Sequence, residues 1–265
     1  MLKSASMICA PAQAGRPASR SLLAPFFAQH YADGTVTLVQ KLSPAWLQIR
    51  ISSSALYRLH YLPGQHVRIE LRDPLSLYGI LRPVETMRTY TLWNFSPLEQ
   101  CFELRVHLYD GDGIGLDWAR RARVGDAVRF WGPQGDFIVR AEAPWHLFVG
   151  EETASAAFGP MIRALDGNAT VHAVLESDTP DDALALPAFP GLRRIWRRGA
   201  SPVASQRLVN AVAALDLPAG PGAAYIAGEA RTCQMVRDHL VRERGWPRSA
   251  IRVKPFWAPG KRGLH

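Results

Sequence analysis

The sequence predicts two domains, an antiparallel β-barrel or sandwich followed by a parallel α/β sheet. Three observations carry this. Short alternating segments crowd the stretch from residue 35 to about 137, and beyond Pro144 the rhythm changes to strand then helix. The length of 265 residues exceeds one average domain and falls short of three.

In the first half the strands are expected at Thr35–Val39, Trp46–Ser52, His66–Arg72, Thr89–Phe95, Phe102–Tyr109 and Ala127–Gly132. Pro63-Gly64, Asp73-Pro74, Ser96-Pro97, Gly125-Asp126 and Pro133-Gln134-Gly135 fall between them as turns, and one short helix is expected near Asp117–Arg123. In the second half strands are expected at His146–Val149, Val171–Leu175, Leu192–Trp196, Ala223–Ala227 and Ile251–Trp257. Helices are expected at Thr153–Leu165, Ala204–Leu215 and Ala230–Arg244. The last helix has an apolar stripe of Cys233, Val236, Leu240 and Val241, Gly245 as its C′ residue and Pro247 beyond. Residues 1–25, rich in Ala, Ser, Pro and Arg, are expected to form a flexible leader, with domains over 26–142 and 143–265.

With 48% hydrophobic and 20% charged residues the composition is that of a globular chain rather than a disordered one. The stretch from Ala204 to Leu217 is broken by Gln206, Arg207, Asn210 and Asp216, so no membrane span is expected. Cys9, Cys101 and Cys233 are far apart and form no CxxC, which supports neither a disulfide framework nor a zinc site and points to the cytoplasm. The N-terminal apolar stretch is interrupted by Ser4, Ser6, Pro11 and Gln13, a poor match to a secretory signal. A formal charge of +8 attracts anions, but the basic residues fall in scattered pairs without interleaved aromatics, which argues against a nucleic-acid partner.

No HExxH, GxSxG, Walker-type loop or clustered Cys/His set occurs, so hydrolase and metal-centre readings lose their basis. Lone histidines such as His66 and His172 read as packing or surface residues. Arg88-Thr89-Tyr90-Thr91 opens a strand, which sends Arg88 and Tyr90 to one face and Thr89 and Thr91 to the other. A ligand on the first face gains a ring to stack on and a cation for phosphate, although an ordinary exposed strand would read the same. Asp110-Gly111-Asp112-Gly113-Ile114-Gly115 runs into Asp117-Trp118-Ala119. Such a loop offers backbone N–H groups to a pyrophosphate if both carboxylates point away, and is otherwise a plain tight loop. Gly150-Glu151-Glu152-Thr153 and Gly228-Glu229-Ala230 end two strands of the second half, where an open α/β sheet binds a dinucleotide. Simple relief of a tight turn is the alternative there.

Taken in order, the Arg-x-Tyr-Thr strand, the glycine loop before Trp118, the run from Ala119 to Asp126, Gly132-Pro133-Gln134-Gly135-Asp136-Phe137, the two glycine turns, and Phe256-Trp257 with Gly260 resemble the ferredoxin-reductase-like flavoproteins, and within them the siderophore-interacting protein family. The likeness runs from about residue 35 to the end. Tyr109 and Asp110 stand where the family usually begins its loop with His-Gly-Asp, and Gly115-Leu116 replaces a small Ala-Ser pair.

The resemblance implies a β-barrel holding FAD at the domain junction and an α/β domain receiving NADH or NADPH. Arg88, Thr89, Tyr90 and Thr91 would lie at the flavin, and Tyr109, Gly113, Gly115, Leu116 and Trp118 near the pyrophosphate. The nicotinamide nucleotide would pass over Gly150, Glu151, Glu152, Thr153, Gly228, Glu229 and Ala230. Trp257 would pack by the flavin or nicotinamide, or seal the domain interface. Lys254, Lys261 and Arg262 are expected to form a basic mouth for a ferric siderophore or chelate, and a solvated basic tail is the alternative. Glu176-Ser177-Asp178 favours NADH, whereas Arg193, Arg194, Arg197 and Arg198 would reverse that preference. The implied activity is ferric-siderophore reduction by a monomer. A flavin or ferredoxin-type reductase with another acceptor, or a non-enzymatic siderophore-binding protein, are the competing readings.

Overall fold

The computed structural model describes residues 31–72 and 86–261. The expected leader, Cys9, the Asp73-Pro74 turn and Arg262 lie outside the described residues. Six strands, β1 (Tyr31–Ser43), β2 (Trp46–Ser52), β3 (His66–Glu70), β4 (Met87–Ser96), β5 (Cys101–His107) and β6 (Ala127–Gln134), close into a barrel in the order β1-β2-β5-β4-β3-β6. Closure comes from β6 pairing back on β1, with Tyr31 opposite Trp131 and Thr35 opposite Ala127. That pairing decides between barrel and sandwich. Val36, Ile49, Ile51, Leu92, Phe102, Leu104 and Phe130 are fully buried in a single apolar cluster, so the alternation read from the sequence fills the barrel with side chains.

The helix α1 (Ile114–Arg121) starts earlier than the expected Asp117 because the glycine loop itself supplies the N-cap, Gly113. Arg120 reaches back to accept that geometry, donating to the carbonyls of Tyr109 at 2.7 Å and Gly111 at 3.0 Å.

The second half is a five-stranded parallel sheet of order β11-β10-β7-β8-β9, built from β7 (His146–Glu151), β8 (Val171–Ser177), β9 (Gly191–Trp196), β10 (Ala223–Glu229) and β11 (Ile251–Trp257). Every residue of β7 and β10 is buried, which is why these strands read as continuous apolar runs. Leu147, Val149, Ala224 and Ile226 cluster with Leu208 and Val212 of α3 (Gln206–Ala213) and with Val236 and Leu240 of α4 (Ala230–Arg242). Phe148 and Tyr225, stacked at 4.8 Å between ring centroids, join Phe158 and Met161 of α2 (Ser155–Arg163). The helices are shorter than expected. A 3-10 turn at Glu152–Ala154 precedes α2, and Ser205 caps α3 by accepting from Leu208 N at 3.2 Å. Helix α4 stops at Arg242, and Gly245 takes the left-handed conformation (φ 68°) just beyond it.

The two halves meet on a small apolar cluster of Ala45, Trp46 and Trp93 from the barrel with Ala156 and Leu184 from the sheet domain. Gly159 of α2 is required there, since a Cβ would lie 2.2 Å from the Trp93 ring. Arg163 stacks 4.4 Å from the centroid of that ring and Arg105 5.1 Å from it. The Trp46 indole donates to the Asp182 carbonyl at 2.7 Å. No helix among the described residues is long and apolar enough to cross a membrane.

Candidate functional site

Strand alternation places Arg88 and Tyr90 against the start of α1. The Tyr90 hydroxyl donates to the Gly115 carbonyl at 2.8 Å, and its ring lies 5.3 Å from that of Trp118. Gly115 packs so closely that a Cβ would stand 2.8 Å from the Tyr90 hydroxyl and 3.0 Å from Cγ of Arg88. Burial pushes the Tyr90 phenol well above its usual range, so it stays a neutral donor. Gly113 caps the helix without a side chain, and the first N–H groups of a helix have no acceptor within it. Asp110 and Asp112 are exposed, and the Tyr109 ring folds over Gly111 with its hydroxyl near Gly113. Leu116 is buried at the base of this cradle.

Thr89 and Thr91 face away from that cluster. Thr91 is paired with His66 on β3, and Thr89, exposed, is paired with Arg68. Burial first, then the charges of Lys254 and Arg68, depress the His66 imidazole to about 4 against the opposing pull of Asp136, leaving it neutral. Lys254 lies on β11 of the sheet domain. From there the register runs Lys254 to Ala227 on β10 and Ala227 to Gly150 on β7. Strand β4 meets the sheet domain through Trp93, whose ring lies against Gly159 of α2. The sequence treated His66 as a packing residue, because a pairing between distant strands leaves no local signature.

The two glycine turns are neighbours. A Cβ on Gly228, whose φ is 118°, would lie 2.5 Å from Oε1 of Glu151, and one on Gly150 would lie 2.4 Å from the Ala227 carbonyl. Their carboxylates are turned inward. Glu229 accepts from Arg231 N and Thr232 N, each at 2.8 Å, and from Ala204 N at 3.1 Å; burial pushes its pKa up, and those donors bring it below its ordinary value. Ala230 begins α4 directly behind it. Glu152 forms a buried ion pair with Arg197, with one contact at 2.6 Å. Glu151 accepts from Thr153 N at 2.9 Å, from the Thr153 hydroxyl, and from the Trp257 indole at 3.0 Å. Trp257 therefore belongs to the turn pair. These carboxylates shape the turns rather than offering charge to a ligand.

Burial, followed by the neighbouring Glu152, pushes Glu151 to about 7, with the Thr153 and Trp257 donors opposing. The folded state therefore holds its proton more firmly than the unfolded chain, and the stability associated with it is lost as pH rises from about 4.5 through about 7. Glu151→Gln is expected to remove this slope, so that urea denaturation shows the variant gaining on the parent across that interval. Parallel pH profiles would show that Glu151 titrates normally.

Glu176 corrects an expectation. It is completely buried, accepts from the Ser205 hydroxyl at 3.0 Å and lies 3.4 Å from Arg207, so it is not presented to a ribose. Lys254 is half-buried in β11, whereas Lys261 is exposed in a turn on Ala258. Ser155, which no sequence motif marked, opens α2 with a buried hydroxyl lacking a partner among the described residues. Its helix has no side-chain cap at Ala154. The free N–H groups at the start of α1 and the unpartnered Ser155 hydroxyl at α2 fit phosphate groups, while Gly115 is required by its contact with Tyr90 and Arg88.

A barrel with a glycine-led helix, set against the carboxyl edge of a parallel sheet, defines the ferredoxin-reductase-like class. The fold of the ferredoxin reductase in carbazole 1,9a-dioxygenase superposes with a TM-score of 0.66 at 20% identity, covering 85% of this chain and 68% of that one. The chain belongs to the siderophore-interacting protein family: residues 35–137 match the siderophore-interacting FAD-binding domain and residues 143–260 match the siderophore-interacting protein domain. A siderophore utilization protein from T. fusca shares the fold with a TM-score of 0.76 at 24% identity, covering 89% of this chain and 95% of that one. Among curated relatives, the ferric vibriobactin reductase ViuB of Vibrio cholerae is 26% identical over 75% of this chain and 78% of its own length. The mycobactin import ATP-binding/permease protein IrtA of Mycolicibacterium smegmatis is 24% identical over 86% of this chain, which spans 26% of that protein.

Proposed function

We propose that this protein is a ferric-siderophore reductase of the cytoplasm, using FAD and NAD(P)H to reduce Fe(III) to Fe(II) and free the iron. The observation that carries it is the packing of Trp93, on the same strand as Arg88-Thr89-Tyr90-Thr91, against Gly159 of α2, the helix that follows the Gly150 turn of the sheet. FAD held there would supply the chemistry that links a two-electron nicotinamide donor to one-electron reduction of iron, whose reduced form is held less tightly by hard oxygen donors. The chain's own task is positional. Tyr90 and Gly115 fix the cradle wall with Arg88 beside them, Thr89 and Thr91 present the opposite face of the strand, and Tyr109, Gly113, Leu116 and Trp118 shape the helix start that would receive the pyrophosphate. Gly150 and Gly228 let the two turns pack on each other, the nucleotide would pass over the turns at Thr153 and Ala230, and Glu151, Glu152, Glu229 and Trp257 hold those turns rigid. Lys254, Lys261 and Arg262 would draw an anionic ferric chelate to the junction. Thiols Cys101 and Cys233 are buried and free, in keeping with a reducing compartment.

The absorption spectrum of freshly purified protein, with identification of released flavin and anaerobic titration with each nicotinamide before a ferric siderophore is added, tests this reading. Stoichiometric FAD, bleached by the nucleotide and reoxidised by the ferric chelate, is expected. Colourless protein that also refuses added FAD would overturn it.

A further inference from the structure

The carboxyl group of Glu151 closes a small hydrogen-bonded cluster at the carboxyl edge of the sheet, where β7, β10 and β11 end side by side. Its Oε2 accepts from Thr153 N at 2.9 Å, and its Oε1 accepts from the Trp257 indole at 3.0 Å and from the Thr153 hydroxyl. Gly228 presses on the same oxygen, since a Cβ there would stand 2.5 Å from it. Glu151 itself is 2% exposed, whereas Thr153 is half-buried and reaches the surface of the turn.

The two protonation states of this carboxyl group direct the Thr153 hydroxyl hydrogen differently. A carboxylate only accepts, so the hydroxyl hydrogen points inward to Oε1 and none is left for a ligand. A carboxylic acid carries a hydrogen of its own, taken from solvent. Placed on Oε1, that hydrogen points to Thr153 Oγ1, which then accepts, and the threonine hydrogen is released toward the outer side of the turn. No heavy atom has to move, because the change is a rotation about the threonine C–O bond.

The surroundings bring the two states close in free energy near neutrality. Burial opposes ionisation, and Glu152 in the same turn adds to it. Arg197, just past β9, is already bonded to Glu152 and pulls on Glu151 through its field alone. On β8, Glu176 is the register partner of Glu151 and is itself pushed up by burial, while Glu229 at the end of β10 is held by backbone donors of α4. Burial drives the Cys233 thiol of α4 well above its usual range, so it stays uncharged.

We propose that Glu151 is a positioning residue for the nicotinamide nucleotide, acting through Thr153: only its protonated form turns the Thr153 hydroxyl outward to donate to the nucleotide. The inference rests on the reductase reading and adds to it a proton-controlled grip on the electron donor. Binding then favours the protonated form, so affinity falls as pH rises through about 7.

Calorimetric titration of the FAD-loaded full chain with tetrahydro-NAD and tetrahydro-NADP, whose part-saturated nicotinamide rings transfer no hydride, reads binding without turnover. The tighter of the two is expected to bind about fivefold more weakly at about pH 8 than at about pH 6, the usual net contribution of one hydrogen bond. Glu151→Gln supplies an amide that can always donate to Thr153, and is expected to hold the acid-side affinity at both values. Thr153→Val keeps the shape without the hydroxyl, and is expected to show the alkaline-side affinity at both. Titration of the nucleotide's own phosphates is common to all three proteins and cancels in the comparison. Should Glu151→Gln fail to fold, Thr153→Val decides alone. A parental affinity independent of pH, or a slope retained in a folded variant, would overturn the proposal. If a nicotinamide nucleotide bleaches bound FAD while the slope is absent, the reductase reading stands without this device; if neither analogue binds and neither nucleotide bleaches FAD, both fall.

Discussion

Glu152→Ala is expected to lower the unfolding free energy by about 3–5 kcal/mol, the usual cost of stripping one partner from a buried ion pair. Only 5% of the Arg197 side chain and 8% of the Glu152 side chain are exposed, so the truncated variant would leave a guanidinium in the interior without its carboxylate. The loss falls on the link between the end of β9 and the β7 turn. Urea denaturation followed by far-ultraviolet circular dichroism measures it, and a loss below about 1 kcal/mol would show that the pair behaves as a solvated one. Replacing both residues by apolar ones, Glu152→Leu with Arg197→Met, is expected to recover most of the stability because no buried charge then remains.

Gly115→Val is expected to abolish tight FAD binding while leaving the fold intact. Even a Cβ would stand 2.8 Å from the Tyr90 hydroxyl, and the branched methyl groups would drive the ring from the Gly115 carbonyl and displace Arg88 as well. An affinity loss of at least about 100-fold, or about 2.7 kcal/mol, should appear as protein purified without its yellow colour. Unchanged circular dichroism would place the damage in the cradle. Full flavin occupancy in the variant would show that the cofactor does not depend on the contact between β4 and α1.

Most of the architecture was legible because its signals are local. The alternation of Ile49 and Ile51, the apolar runs of β7 and β10, and Gly245 after α4 each state their role within a few residues. Closure of the barrel was not, since it depends on β1 meeting β6 across the long separation from Tyr31 to Trp131 and from Thr35 to Ala127. In the candidate site, residue types were readable and their directions were not. A glutamate at the end of a strand reads the same whether it faces a ribose or, as Glu176 does, a buried serine. Likewise Glu151, Glu152 and Glu229 stand in the turns that the motifs marked, yet their carboxylates hold the turns from within. His66 and Ser155 gave no motif at all, because what singles them out is a neighbour on another element or a missing partner.

The tryptophan joint between the halves bears on how such a chain can be divided. Trp93 is only 8% exposed because α2 covers it, and Gly159 and Ala156 are buried because Trp93 covers them. Cutting the chain between β6 and β7 would bare an indole on one fragment and a small-residue helix face on the other, each an adhesive surface in water. The halves are thus poor candidates for exchange as separate modules. A recombination that joins either half to a new partner must also supply a complement to this contact, so barrel and sheet are expected to be inherited together.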